Sequence, residues 1–182
     1  MRKKLLAFAL TLTLCLGLGA PALAYRLGDA PGSAVAMSAS HTAYIDGEGV
    51  LWTWGRGRYG ELGTGSQEDS PSPVRVMEDV AAASVSEGVT AAVKRDGSLW
   101  MWGSNYHGQL GNGGGGDLNI MGTGFDRDSD HYIQLTPVRV LEDVARVWTA
   151  GTFTAALKTD GTLWMWGDNQ YGHLGNGGVG DR

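Results

Sequence analysis

The chain has 182 residues, carries 14 Lys and Arg against 19 Asp and Glu for a formal charge of −5, and contains a single cysteine. This acidic balance argues against a nucleic-acid or anionic-membrane surface, because such partners require clustered Lys and Arg. The length supports one core of ordinary size.

The first predicted element is an export signal. Residues 1–24 combine a basic start (Arg2, Lys3, Lys4), an apolar run from Leu5 to Ala20 and a small-residue ending, Pro21-Ala22-Leu23-Ala24. That is the three-part pattern of a secretory signal peptide, with Ala22 and Ala24 placed for the peptidase. The apolar run is short of the ~20 residues a spanning helix needs and ends at a proline, so no stable membrane insertion is expected after cleavage. Removing these 24 residues leaves 158, takes away Cys15, and moves the formal charge to −8, because three basic residues and no acidic one are lost. Leu14 before Cys15 is too bulky for a lipoprotein-type site. Without cysteine, the mature chain depends on packing for its stability.

Residues 25–182 are organised as repeats of about 33–80, 81–144 and an incomplete 145–182. Leu51-Trp52-Thr53-Trp54-Gly55 returns as Leu99-Trp100-Met101-Trp102-Gly103 and as Leu163-Trp164-Met165-Trp166-Gly167, at intervals of 48 and 64 residues. Glu48-Gly49, Asp96-Gly97 and Asp160-Gly161 precede the Trp pairs at one fixed distance. Gly60-x-Leu62-Gly63, Gly108-x-Leu110-Gly111 and Gly172-x-Leu174-Gly175 follow them in register. Pro73-Val74-Arg75-Val76 recurs as Pro137-Val138-Arg139-Val140.

Each unit reads as four antiparallel strands. Thr90-Ala91-Ala92-Val93 and Thr154-Ala155-Ala156-Leu157 run through Asp-Gly into the Trp segment, and Asp-Gly between apolar runs predicts a tight hairpin. The segments around Ser84–Ser86 and Pro73–Val76 supply two more short strands. Trp52 and Trp54 share one strand face while Leu51 and Thr53 occupy the other, so both faces have material to bury. A strand covered on both sides suits a sheet stacked between neighbouring sheets, as in propeller blades. The fold class expected is all-β, with about three β-propeller blades. The six Trp at repeated mid-strand positions are expected to pack the core and the blade junctions.

The combination Leu-Trp-x-Trp-Gly, Gly-x-Leu-Gly and Pro-Val resembles the repeat of the regulator of chromosome condensation family over nearly all of the mature chain. The resemblance implies a β-propeller, seven-bladed in the family's best-known members. Trp-Asp repeats differ in their dipeptide and in their Gly-His signature, and sialidase-type Asp-boxes place a residue between Asp and Gly. Three units are too few to close a ring, so either a longer chain or further copies of this one are expected to supply the rest. The family's nucleotide-exchange and chromatin roles are opposed by the export signal and the acidic charge.

A search for chemistry finds little. Gly113-Gly114-Gly115-Gly116 is followed by Asp117-Leu118, not by the Lys and Ser or Thr of a phosphate loop. The four histidines lack zinc spacing, and no nucleophile elbow is present. The second unit has 23 residues between Gly113 and Pro137, where the first has 7 between Gly65 and Pro73. This insertion holds Asp126-Arg127-Asp128-Ser129-Asp130, but His131 and Pro137 replace the glycine and glutamate of a calcium loop, and a solvated polar loop fits better. No metal, cofactor or catalytic residue is expected.

Comparison of the units separates framework from variable positions. After each Trp-Gly the chain reads Arg56-Gly57-Arg58-Tyr59, Ser104-Asn105-Tyr106-His107 and Asp168-Asn169-Gln170-Tyr171. Tyr, Arg and Asn are residues of adaptable binding surfaces. The candidate contact residues are therefore Arg58, Tyr59, Asn105, Tyr106, His107, Asn169 and Tyr171, with capping of the loops as the alternative role of Tyr59, His107 and Tyr171. The expected function is a secreted or cell-surface, non-catalytic module that binds an extracellular or envelope protein. A glycan-acting enzyme on the same scaffold and a purely structural repeat of a larger surface protein are the alternatives.

Overall fold

A computed structural model describes residues 34–113 and 132–179. The expected signal segment and residues 114–131 of the insertion, including Asp126, Asp128 and Asp130, lie outside the described residues. The described residues form three antiparallel sheets. The first contains β1 (Ala34–Met37), β2 (His41–Ile45), β3 (Leu51–Gly55) and β4 (Ser70–Met77), paired in that order. The second repeats the arrangement with β5 (Val80–Ser86), β6 (Val89–Lys94), β7 (Leu99–Ser104) and β8 (Ile133–Leu141). The third holds β9 (Val144–Thr149), β10 (Phe153–Lys158) and β11 (Leu163–Gly167). The fold is the expected all-β stack of propeller-type sheets.

Position in the sheet explains the composition of each strand. β4 and β8 carry Pro71, Pro73 and Pro137, and each pairs with one neighbour only. An edge strand tolerates the missing N–H that would break a central ladder. The centre of each sheet is the register of the Trp strand with the strand before it: Thr90 lies opposite Trp102, Ala92 opposite Trp100, Ala91 opposite Met101 and Val93 opposite Leu99. Small residues on β6 make room for the indoles, and the two faces point into different junctions. One cluster joins the first two sheets through Ala43, Ile45, Leu51, Val80, Ala92 and Trp102. The other joins the second and third through Val89, Ala91, Leu99, Met101, Val147 and Ala156.

The hairpins form where the Asp-Gly pairs place them. Gly97 N–H donates to Lys94 O and Lys94 N–H to Ser98 O, both within 3.0 Å, so the loop has three residues and the glycine closes it. With φ +82° at Gly97 and no positive φ at Arg95 or Asp96, this is a turn followed by a glycine bulge, not the two-residue turn with positive φ at both central positions. The Asp-Gly signal correctly placed the hairpin, with its glycine in the positive-φ position.

The glycine that ends each Trp strand has a steric cause. At Gly103, φ is +106° and an added Cβ would stand 2.1 Å from Gly88 O, and the same close approach recurs at Gly55 and Gly167. Ser104 N–H donates to that same Gly88 O at 2.7 Å, so the two segments cannot move apart without losing a bond. Gly103→Ala is expected to lower stability by about 1–3 kcal/mol, read as a reduced denaturation midpoint in urea with unchanged slope. A midpoint equal to that of the parent chain would contradict this account of the motif.

Candidate functional site

The loops after the Trp strands are held from inside. Asn105 and Asn169 are buried, and their side-chain oxygens accept from the backbone N–H of Leu110 at 2.9 Å and of Leu174 at 3.0 Å. Asn105 Nδ2 donates to Asn112 Oδ1, and Asn169 Nδ2 to Gly178 O. These two expected contact residues therefore have no side-chain surface to present; they staple the loop. In the first unit Gly57 takes this position, and its N–H donates to Asp69 Oδ1 at 2.9 Å. Beside the staple, the residue before the repeated leucine turns its side chain back on the loop: Glu61 Oε2 accepts from Tyr59 N–H at 2.6 Å, and Gln109 Oε1 from His107 N–H at 2.8 Å.

The remaining candidates are displayed by this frame. Tyr59 and Tyr106 meet edge to face with centroids 6.4 Å apart, and Tyr106 stacks on Tyr132 at 5.4 Å with planes 8° apart. Arg56 extends the strip, its guanidinium 5.3 Å from the Tyr59 ring centroid. Arg56 is held by Glu61 at 3.2 Å and Glu87 at 3.5 Å. Arg58 is exposed nearby in sequence, and His107 is half-buried with no hydrogen-bond partner for Nδ1 among the described residues. On the third unit Tyr171 is 78% exposed and meets His173 edge to face, while His173 stacks on Phe153 at 4.8 Å. Tyr132 and Arg56 were not among the sequence-derived candidates. Tyr132 lies within the long insertion, and strand register puts Glu68, not an aromatic residue, at its place in the first unit, so comparing units could not single it out.

The turn carboxylates are committed to their own hairpins. Asp96 accepts from the Ser98 hydroxyl at 2.6 Å and from Ser98 N–H at 2.9 Å, and Ser98 in turn accepts from Trp100 Nε1 at 2.9 Å. The third unit repeats this with Asp160, Thr162 and Trp164, whereas in the first Trp52 Nε1 donates directly to Asp46 at 2.8 Å. The hydroxyl bonds from Ser98 and Thr162, joined by backbone N–H groups, hold Asp96 and Asp160 below the usual carboxylate range. At Asp46 slight burial works the other way, but the Trp52 bond and three backbone bonds outweigh it. Carboxylates held ionised by their own turns are not poised to donate a proton as a glycosidase acid must. Among the described residues no group of three or more His, Cys, Asp or Glu could hold a metal ion.

Comparison with known proteins follows the repeats. Residues 48–93 match the model described as Regulator of chromosome condensation (RCC1) repeat, and a second model of the same description matches residues 81–109 and 151–172. The human E3 ubiquitin-protein ligase HERC2 is 35% identical over 152 residues, which is 79% of this chain and 3% of that protein. The Ultraviolet-B receptor UVR8 of Arabidopsis thaliana is 33% identical over 144 residues, 79% of this chain and 31% of the receptor. The crystal structure of Prp20p from Saccharomyces cerevisiae superposes with a TM-score of 0.68 at 19% identity, covering 81% of this chain and 36% of that one, and shows the shared fold. The chain therefore spans under a third of either curated relative.

Proposed function

The chain carries repeats of the regulator of chromosome condensation family, and from that premise we propose that it is a non-catalytic protein-interaction module, exported to the cell surface or beyond. The observation that carries this reading is the aromatic strip Tyr59–Tyr106–Tyr132, flanked by Arg56 and set on loops whose backbones are stapled from inside. Rigid aromatic side chains beside an arginine supply contact area at low entropic cost, which is what protein-binding surfaces use. Prp20p of Saccharomyces cerevisiae has binding properties towards Gsp1p and histones, so a propeller of this type serves that protein as a binding scaffold. The ligase activity in the name of HERC2 belongs to a protein of which this chain matches 3%. The partner proposed here is an extracellular or envelope protein, in keeping with the signal-like residues 1–24 and the acidic charge.

The test is capture from an envelope fraction with the purified chain, followed by titration of the captured protein. Tyr106→Ala removes the central ring of the strip, and such an anchor contributes about 2 kcal/mol or more, a loss of roughly thirtyfold in affinity. The thermal midpoint should hold, because Tyr106 belongs to neither inter-sheet cluster. Unchanged affinity in the variant would remove the strip from the contact surface. Failure to capture any protein would count against the interaction reading itself.

A further inference from the structure

The turn that ends each loop carries a residue pair matched to the staple. In the second unit Asn112-Gly113 follows Gly111, and Asn105 Nδ2 donates to Asn112 Oδ1 at 3.0 Å. In the third Asn176-Gly177 follows Gly175, and Asn169 Nδ2 donates to Asn176 Oδ1 at 3.4 Å. The first unit has Gly57 in place of the stapling asparagine, and there Thr64-Gly65 stands in place of the Asn-Gly pair. The asparagine at the turn thus accompanies the one it answers. The glycine after it is required by the backbone, because φ is +84°, +78° and +79° at Gly65, Gly113 and Gly177, a region that side chains rarely enter.

Asn before Gly is the pair most open to attack by the main-chain nitrogen on the side-chain amide, because glycine has no Cβ to shield its N–H. Among the described residues nothing lies within 4 Å of the point where a Cβ of Gly113 or Gly177 would stand, and Asn112 and Asn176 are exposed to water. Thr64 at the matching turn is exposed too, so the turn is open in all three units, whatever the place of the unit in the stack. The side-chain carbonyl is also activated. Asn176 Oδ1 accepts from Gly178 N–H at 3.0 Å, and the ring closed by that bond contains both Asn176 Cγ and Gly177 N. Gly178 N–H at Asn176 and Asn105 Nδ2 at Asn112 donate to the oxygen on which negative charge gathers as the nitrogen attacks. Asn105 and Asn169, in contrast, are buried and stand before Tyr106 and Gln170, whose Cβ atoms shield the main chain.

We propose that Asn112-Gly113 and Asn176-Gly177 are sites of spontaneous modification, where each turn closes to a succinimide and reopens as aspartate or isoaspartate. The glycine nitrogen bonds to the asparagine Cγ, the Cγ–Nδ2 bond breaks, and ammonia leaves with the hydrogen given up by the glycine N–H. Water then adds across one of the two C–N bonds of the ring. Opening at the side-chain carbonyl gives aspartate, and opening at the main-chain carbonyl gives isoaspartate, whose chain runs on through Cβ and Cγ. Each event consumes a water, releases an ammonia and adds a negative charge. In isoaspartate the main chain is longer by a carbon, so the acceptor moves off Asn105 Nδ2 or Asn169 Nδ2. The hold of these two asparagines on Leu110 N–H and Leu174 N–H then slackens.

The purified chain is aged in mildly alkaline buffer made with heavy-oxygen water and mapped by peptide mass spectrometry, with isoaspartate read by enzymatic methylation. Peptides holding Asn112 and Asn176 are expected to gain the mass of the amide-to-acid change with a heavy oxygen and to take the methyl label, while those holding Asn105 and Asn169 stay amides. Hydrogen exchange of the segments at Leu110 and Leu174 should quicken as the label accumulates. Asn112→Thr combined with Asn176→Thr, the residue that the first unit carries at this turn, should hold both its mass and its exchange rates. A sample aged in urea supplies the unfolded control. Conversion in urea with Asn112 and Asn176 unchanged in the folded chain would overturn the proposal, as would label spread equally over those four asparagines or exchange at Leu110 that does not follow the modification.

Discussion

Trp102→Ala should cost about 3–5 kcal/mol, the range for emptying a fully buried aromatic site. Trp102 is 0% exposed and the largest of the fully buried side chains. Its indole touches both sides of the first junction, packing with Ile45, Leu51 and Val80 while Nε1 donates to Glu61 O. A domain of this size has a total stability of roughly 5–15 kcal/mol, so the substitution removes a large share of it. The chain supplies its own control. Trp164 holds the position of Trp100 in the third unit but is 50% exposed, and Trp164→Ala should shift the urea midpoint only slightly. Equal losses at Trp102 and Trp164 would mean that the junctions do not stabilise the sheets.

The second large effect is a pH dependence seated in His41. This side chain is 2% exposed at the first junction, with Nε2 2.7 Å from Thr90 Oγ1. Because the Thr90 hydroxyl gives its hydrogen to Glu61 O, it accepts from His41 Nε2–H, leaving Nδ1 to accept from the Ser40 hydroxyl, since the Ser38 hydroxyl donates to His41 O. Burial, assisted by the charge of Arg56, lowers the His41 pKa from 6.5 to about 4. The folded chain therefore refuses a proton that the unfolded chain accepts between these values. Stability is expected to be level in this respect above pH 6.5, to fall as the pH drops towards 4, and to lose about 3 kcal/mol across that window. The carboxylates Asp46, Asp96 and Asp160, whose pKa values lie below 3.8, lose their contribution at lower pH still. Urea midpoints at pH 7 and pH 4.5 measure the slope, and His41→Gln should flatten it. A variant as pH-sensitive as the parent would place the effect elsewhere.

How far the sequence revealed this molecule depended on whether a residue's role recurs. The Trp strands, the Gly that ends them, the edge prolines and the turn Asp-Gly pairs each answer the same local constraint in successive units, so repetition exposed them. The asparagines at 105 and 169 show where that reasoning stops. Both sit among variable loop residues, and only three-dimensional burial distinguishes a staple from a contact. His41 is a further case: Val89 and Phe153 occupy its place in the other units, and nothing in its sequence surroundings announces that Thr90, 49 residues away, fixes its tautomer. The aromatic strip needed Tyr132, the residue immediately before β8 and still within the insertion.

Stacked sheets that stabilise one another should not exchange their amide hydrogens equally. The middle sheet is covered on both faces, whereas β11, an edge strand of the third described sheet, has Leu163 and Trp164 exposed. Hydrogen exchange read by mass spectrometry should find β6 and β7 slower than β11. Exchange in β11 as slow as in β7 would contradict a fold built from mutually supporting junctions.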